Sequence, residues 1–476
     1  MIRIFGHFIS LRAVLIATFE LAAILAVYDL STMITLSLVY DSVQQQIYGE
    51  GPIQLLLCLF FWMTAASCGM YSAETIADVR DLTGRLLAVS VIAYFVTSMA
   101  ISVMEYLLTN TVNLKLYYAI NLGASACYFW LALLFRLNVF SRKVGGTALE
   151  HRVVVLGIDE LAAKIARLGA AATSPYNIVA FVPLSNGQLH ADVDQGRVVS
   201  GIQLEQPKAL LDLAQQRNIN EVVLASHERR GMPVDALMAC KLDGLIVTNF
   251  SDFWERQAGQ IDLDSLSPGG VIFSTGFRIS WPGAVLKRLF DILVGTLLLI
   301  ITFPICVVTA IVIKLDSPGP IFYEQERVGL HRRPFQILKF RSMRQDAEKG
   351  GTAVWAQKQD PRVTRVGNFI RRTRIDEIPQ VINVLAGEMS FVGPRPERPV
   401  FVEELIKKIP FYDVRHQLKP GITGWAQINL PYGASDEDAK AKLAFDLYYV
   451  KNWNLFLDIV ILFQTVQVVL WRLGSR

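Results

Sequence analysis

Four apolar stretches open the chain, at about 12–39, 53–70, 86–104 and 116–136. Each is long enough to cross roughly 30 Å of hydrocarbon as a helix. Lipid offers no partner for backbone N–H and C=O groups, so such stretches must close their hydrogen bonds internally, as helices do. A four-helix transmembrane bundle is therefore predicted over residues 1–143. Basic residues lie at Arg3 and Arg12, at Arg80 and Arg85, and at Arg136, Arg142 and Lys143, whereas the loops 41–52 and 105–115 contain one Lys and no Arg. The positive-inside rule then puts both ends of the bundle in the cytoplasm. Glu20 and Asp29 would be costly facing lipid, so they are expected to face the bundle or the interface in a structural role. The first run lacks a short apolar core with a small-residue cleavage site and does not read as a signal peptide.

Composition bounds the remainder. Of 476 residues, 52% are apolar, which leaves room for two or three domains in a membrane protein. A net charge of +4 gives no reason to expect a nucleic-acid partner. Cys58, Cys68, Cys127 and Cys306 lie in or beside apolar runs and Cys240 stands alone. None has metal-ligand spacing, so all five read as reduced packing residues.

Residues 144–150 read as a linker, followed by RVVVLGIDELAAKIARLG, a strand, a turn and a helix. Further strand-like runs at 177–183, 220–225 and 244–249, with helical stretches between, predict a Rossmann-like α/β domain over 150–278. The dinucleotide fingerprint is broken: Gly157 is present, but Asp159 and Ala162 stand where the next two glycines would be. Asp159 suits a helix cap, and its charge would repel a pyrophosphate there. A non-catalytic role in regulation or dimerisation is expected.

A second membrane element runs from Leu289 to Leu315, with Pro304 in its middle and Lys287, Arg288 and Lys314 at its ends. Proline removes a backbone hydrogen bond and kinks a helix. A straight span would send the rest of the chain to the opposite side. A kinked, re-entrant hairpin over 287–315 keeps it on one face. From Leu455 the chain is apolar but broken by Asp458, Gln464, Gln467 and Arg472, which predicts an interfacial helix.

Between these lies RRTRIDEIPQVINVLAGEMSFVGPRP, residues 371–396. It reads as an arginine-rich helix start, two adjacent carboxylates (Asp376 and Glu377), a helix, a turn at Gly387 and a rigid turn at 392–396. Arg371, Arg372 and Arg374 precede the carboxylates and Arg395 follows them. Arginine forks suit phosphate oxygens, and a carboxylate among them can hold a divalent metal or attack phosphorus. Upstream, Lys339 and Arg341 in KFRSM either meet anionic headgroups or face substrate phosphates.

The motifs LKRLFDILV (286–294), DSPGPIFYEQERVG (316–329), KFRSM (339–343), DPRVTRVGNFIRRTRIDEIPQ (360–380), VGPRP (392–396), KPGITGWAQIN (419–429) and DLYYVKNW (446–453) make this region resemble the bacterial sugar transferases, the monotopic polyprenyl-phosphate phosphoglycosyl transferases. The whole chain is similar to the family's large members. The resemblance implies a mainly α catalytic domain over 284–476 with a re-entrant membrane helix, on the cytoplasmic face of the bacterial inner membrane. It implies transfer of hexose-1-phosphate from a UDP-sugar to undecaprenyl phosphate with release of UMP, as the first membrane step of exopolysaccharide or O-antigen synthesis. Asp376 would be the nucleophile and form an aspartyl-phosphosugar. Asp376 and Glu377 would hold Mg²⁺, and Arg395 and Arg371 would bind the donor phosphates. On a helix, adjacent carboxylates point about 100° apart, so one can attack while the other binds metal. The family commonly has Ser-Pro at the membrane break, where this chain has Phe303-Pro304. Membrane lipid and a second copy of the chain are the other partners implied. Two rivals compete. A membrane-anchored nucleotide-sugar-modifying enzyme would need a glycine-rich NAD turn and a Tyr-x-x-x-Lys pair, and neither is present. A non-enzymatic scaffold is countered by the intact Asp376-Glu377 pair and its arginines.

Overall fold

The computed structural model describes residues 2–4, 7–9, 11–38, 51–71, 79–107, 114–141, 151–171, 174, 176–184, 189–226, 232–274, 276–278, 280–344, 362–431, 433 and 435–471. These form two compact units, one ending at Ala258 and one beginning at Gly259. The predicted linker 144–150 lies outside the described residues.

Helices α1 (Leu11–Leu38), α2 (Gly51–Ser67), α3 (Val79–Leu107) and α4 (Leu114–Ser141) form the predicted bundle. Each packs on two others, closing a ring around a core of Ile24, Tyr28, Phe61, Leu86 and Tyr128. Helix α2, expected over 53–70, ends at Ser67 and turns at Cys68–Tyr71, the short end of spanning length. Among the described residues, four helices are long and apolar enough to cross a membrane: Ala13–Leu30, Leu82–Val103, Tyr118–Arg136 and Trp281–Asp316. The chain is a membrane protein. Glu20 does turn inward, where its carboxylate meets Arg136 at 2.6 Å and accepts a hydrogen bond from Tyr128. Arg136 also donates to the Met70 carbonyl at 2.9 Å. Its charge, read from sequence as a loop signal, is fully buried in the bundle and compensates the buried carboxylate. Asp29 is exposed on the bundle surface.

The remainder of the first unit is a four-stranded parallel sheet of β1 (His151–Leu156), β2 (Tyr176–Val182), β3 (Glu221–Leu224) and β4 (Ile246–Asn249), in the order β2-β1-β3-β4. Side chains alternate across a strand, and the unbroken apolar run of β1 demands cover on both faces. Val153 and Val155 pack with α5 (Glu160–Gly169) and Phe250 and Phe253 of α8 (Phe250–Ala258). Val154 and Leu156 pack with α6 (Pro207–Gln216) and α7 (Val234–Leu242). Asp159 caps α5, accepting from Leu161 N at 3.2 Å, so this chain's own carboxylate sits at that helix N-terminus. Gly157 has φ +129°, and a Cβ there would lie 2.4 Å from the Ala225 carbonyl oxygen, so the loops after β1 and β3 touch.

The second unit starts twenty residues before the predicted boundary. Ile261, expected at the end of the α/β domain, is buried in the core of this unit, and its N–H donates to Ala444 O. Phe277 N donates to Lys451 O, and Trp425 Nε1 to Gly259 O at 2.7 Å. Helix α9 (Pro268–Phe273) lies in this lead-in. Helix α10 follows as one 36-residue helix, Trp281–Asp316, capped by Ser280, with Pro304 inside. The hairpin of β5 (Phe322–Val328) and β6 (Pro334–Phe340) comes next. Then come α11 (Arg365–Arg372), α12 (Gln380–Ala386), β7 (Ser390–Val392), α13 (Pro399–Lys408) and β8 (Gly421–Thr423), which pairs parallel with β7. Helices α14 (Asp436–Asn452) and α15 (Leu455–Trp471) end the described chain.

The polar residues opening α10 hold this unit together. Lys287 Nζ lies 2.6 Å from Asp458 of α15 and donates to the Val392 carbonyl at 3.2 Å. Tyr449 OH donates to the same carbonyl at 3.1 Å and to the other oxygen of Asp458 at 2.7 Å. One turn along α10, Asp291 accepts from Ser390 Oγ and Phe391 N. Arg288 donates to the Val384 and Leu385 carbonyls at the end of α12. Removing one partner of a buried pair strands the other charge, so Lys287→Ala is expected to cost on the order of 3 kcal/mol. It should show as a lower apparent melting temperature of the solubilised protein, with Lys287→Arg losing less.

Candidate active site

The two central carboxylates sit in a tight turn rather than in a helix. Helix α11 begins with Thr364 Oγ1 accepting from Gly367 N at 2.9 Å. Gly367 is required there, because a Cβ would lie 1.9 Å from the Ser342 carbonyl oxygen. The arginines read from sequence as a helix start instead close this helix, Arg371 and Arg372 forming its last turn, where cations favour the helix dipole. Arg374 then takes φ +60°, a left-handed conformation that stops the helix, and Ile375–Glu377 form a single 3₁₀ turn before α12. Successive residues of a 3₁₀ turn diverge by about 120°, so Asp376 and Glu377 still face different surroundings.

Those surroundings differ sharply. Glu377 Oε1 is met by Lys339 Nζ at 3.0 Å, Arg374 at 3.8 Å and Arg395 at 3.9 Å. Burial alone would raise its pKa, but Lys339, Arg395 and Arg374 outweigh it and hold the carboxyl down at about 2. Asp376 is 8% exposed, and its Oδ1 has no hydrogen-bond partner among the described residues. Burial, and then the charge on Glu377, push its pKa up to about 6, against the opposing pull of Lys339, Arg374 and Arg371. One carboxylate is locked in its anionic form by neighbouring cations, and in the other burial and the neighbouring carboxylate outweigh the same cations.

Each cation is delivered by a different element. Lys339 sits on β6 opposite Tyr323. Asn383 of α12 fixes that strand by accepting from Leu338 N at 3.0 Å and donating to Gln336 O at 2.7 Å. Arg395 comes from the turn after β7, which the close approach of Gly393 to Gly421 holds: Gly393 N donates to Thr423 O and Gly421 N to Pro394 O. Arg341 turns away from the carboxylates and donates to the Ser317 and Pro318 carbonyls at the end of α10. The geometry thus brings together Asp376, Glu377, Lys339, Arg395 and Arg374, with Arg371 acting on Asp376 electrostatically, and gives Arg341 a docking role. Trp425 is a buried packing residue, stacked on Tyr448 at 5.8 Å between ring centroids. Sequence reading missed Asn383, Asp291, Asp458 and Arg415, whose roles depend on partners distant in sequence. The spacing of Lys287 and Asp291, one turn apart at the start of a largely apolar helix, was the available signal.

Among the described residues no three His, Cys, Asp or Glu side chains converge as a metal site. Two adjacent carboxylates, one with an unpartnered oxygen, suit a hard divalent cation that draws its other ligands from phosphate and water.

Residues 283–472 match the family described as bacterial sugar transferase. The chain is 36% identical over 261 residues to the UDP-glucose:undecaprenyl-phosphate glucose-1-phosphate transferase of Caulobacter vibrioides, covering 97% of that protein and 51% of this chain. The chain belongs to the bacterial sugar transferase family. It is 43% identical over 241 residues to the UDP-N-acetylgalactosamine-undecaprenyl-phosphate N-acetylgalactosaminephosphotransferase of Aeromonas hydrophila, over 50% of this chain and 56% of that protein. It is 45% identical over 190 residues to the UDP-glucose:undecaprenyl-phosphate glucose-1-phosphate transferase of Escherichia coli, over 40% of this chain and 41% of that one. The chain thus spans about half the length of these last two relatives.

The isolated charge on Asp376 has a thermodynamic signature. A carboxyl whose folded pKa is about 6, above the ordinary 3.8, binds its proton more tightly in the folded state. Its contribution to stability is therefore greatest in acid and is lost as pH rises from about 4 to 6, flat thereafter. Asp376→Asn removes this penalty. Its unfolding free energy should exceed that of wild type above pH 6 by an amount on the order of 2–3 kcal/mol, seen as a higher melting temperature, with the gap shrinking towards pH 4.

Proposed function

We propose that this protein transfers a sugar-1-phosphate from a UDP-sugar to undecaprenyl phosphate, releasing UMP, as the first membrane step in building an exopolysaccharide or O-antigen unit. The observation that carries this reading is the buried Asp376 carboxylate, whose Oδ1 has no hydrogen-bond partner among the described residues, beside a Glu377 already paired with Lys339, Arg374 and Arg395. A nucleophile needs an uncommitted lone pair, and a site for two phosphates needs cations close by.

In the first step an oxygen of Asp376 attacks the β-phosphorus of the donor. The bond from that phosphorus to the bridging oxygen breaks and its electron pair leaves with UMP. In the second, a phosphate oxygen of the polyprenyl acceptor attacks the same phosphorus. The acyl-phosphate bond breaks, restoring the Asp376 carboxylate and leaving the sugar on a lipid pyrophosphate. Splitting the reaction keeps two polyanions from having to meet at once. Arg395 and Arg371 bind donor phosphates, and Lys339 keeps Glu377 anionic and in place. Mg²⁺, held by Asp376 and Glu377, would offset phosphate charge.

The acceptor dictates the site's depth. Both halves of α10 rest on the same unit: Gly295 against Leu385 and Phe391, and Cys306, Ala310 and Ile313 with Phe340 and Ile370. Between them Ile300, Ile301 and Phe303 are exposed. A straight 36-residue helix would be about 54 Å long. Support at both ends favours a helix bent at Pro304 that enters and leaves on the cytoplasmic face of the inner membrane, the side on which the basic loops place the bundle's ends. The α/β sheet is Rossmann-like and serves regulation or dimerisation rather than catalysis, in keeping with Asp159 at its helix N-terminus.

Solubilised enzyme with undecaprenyl phosphate, Mg²⁺ and a panel of UDP-sugars is expected to release UMP with at least one donor, and Asp376→Asn with none. Attack requires the ionised carboxylate, and burial beside Glu377 raises the Asp376 pKa, so kcat/KM for the donor should fall in acid as that carboxyl takes up a proton. UMP release by Asp376→Asn, or by no form of the enzyme, contradicts the reading. A cysteine at Ser317 should react with impermeant reagent from the cytoplasmic side. Reaction from the periplasmic side alone refutes the re-entrant helix.

A further inference from the structure

Arg395 reaches the carboxylates from a turn that is fixed from behind. Its side chain is about one-third exposed and stands 3.9 Å from Glu377. Pro394 and Pro396 flank it and supply no N–H, so the turn is anchored largely through its carbonyls. Val392 O accepts from Lys287 and Tyr449, and Pro394 O from Gly421 N. Arg395 O accepts from Arg415 Nη2 at 3.0 Å, and Pro396 O from Arg327 Nη1 at 3.2 Å.

Arg415 is the most constrained of these donors. Its side chain is 5% exposed. Nε and Nη2 both donate to Asp446 Oδ2, at 3.0 and 2.7 Å, and Nη1 donates to Tyr412 OH at 2.9 Å. Nη2 thus serves Asp446 and the Arg395 carbonyl together. A buried ion pair adds little net stability over apolar packing of the same shape, so retaining this one calls for another purpose. A planar fork reaches a carboxylate, a hydroxyl and a carbonyl at once, which a lysine ammonium at that position does not.

We propose that Arg415, held by Asp446 and Tyr412, is a positioning residue for phosphate transfer: it fixes the peptide of Arg395 so that this guanidinium stands over Glu377, and it acts on the reaction through Arg395. This rests on the transferase reading above. Arg415 does not touch the donor. Its loss lets the Arg395 turn drift, and a displacement of about 1 Å near a reacting centre is worth on the order of a hundredfold in rate.

A double-mutant cycle tests this with full-length enzyme in lipid nanodiscs, measuring UMP release against donor and acceptor concentration for Arg415→Lys, Arg395→Ala and the pair. Asp446→Asn is a second route to the same displacement. Arg415→Lys is expected to lower donor kcat/KM between about tenfold and a hundredfold, leaving acceptor KM unchanged, with loss normalised to folded enzyme by melting curve. The double variant should be no slower than Arg395→Ala alone, since the two act as one unit. Multiplicative losses in the double variant, or losses that vanish on normalisation to folded protein, overturn the proposal. Failure of wild type to release UMP with any donor would instead sink the transferase reading, and this inference with it.

Discussion

The transferase unit depends on one buried ion pair. Lys287, at the start of the membrane helix, meets Asp458 of the last helix and at the same time donates to the Val392 carbonyl. Burying two charges is tolerable only when their remaining hydrogen-bonding capacity is met. Tyr449 and Trp453 complete the set around Asp458. Three segments far apart in sequence are thereby fixed at one point, and the strand they hold leads directly into the turn bearing Arg395. With Asp291 gripping Ser390 and Phe391 one turn further on, the opening of this long apolar helix also fixes the strand that leads to Arg395.

The site built on this frame works by unequal treatment of two neighbours. Glu377 draws three cations and becomes a fixed anion, whereas Asp376 keeps a buried oxygen without a hydrogen-bond partner among the described residues. Such an uncompensated group costs stability, and functional sites are where proteins tolerate that cost. The left-handed Arg374 makes the arrangement possible by ending α11 abruptly and turning the carboxylates inward.

The first unit shows the same principle without a reactive group. Glu20 and Arg136 neutralise each other inside the bundle, with Tyr128 and the Met70 carbonyl taking further hydrogen bonds. In the sheet domain Asp159 satisfies its helix's own N–H groups, and Gly157 brings two loops into contact where an open crevice would otherwise lie.

Much of this was legible in sequence because its cause is local. Apolar length placed the bundle and the membrane helix, the unbroken apolar run VVVL placed the central strand, and the broken glycine pattern followed from three residues. Motif spacing was enough to bring Asp376, Glu377 and Arg395 to notice. The sequence reading put Arg371 and Arg372 at a helix start, whereas they form its last turn, the end at which cations favour the helix dipole. It could not show that Arg341 docks a helix end while Lys339, two residues earlier, faces Glu377: residues two apart in a strand share a face, but β6 ends at Phe340 and Arg341 lies just beyond it. Nor could it assign Lys287 to Asp458, Arg136 to Glu20 or Arg415 to Asp446. By itself the sequence determined the long apolar helices, the strands of the α/β sheet and the residue types that cluster around Asp376 and Glu377. The tertiary structure alone decided which cation faces which carboxylate, because pairing of charges distant along the chain depends on burial and distance, and neither exists until the chain has folded.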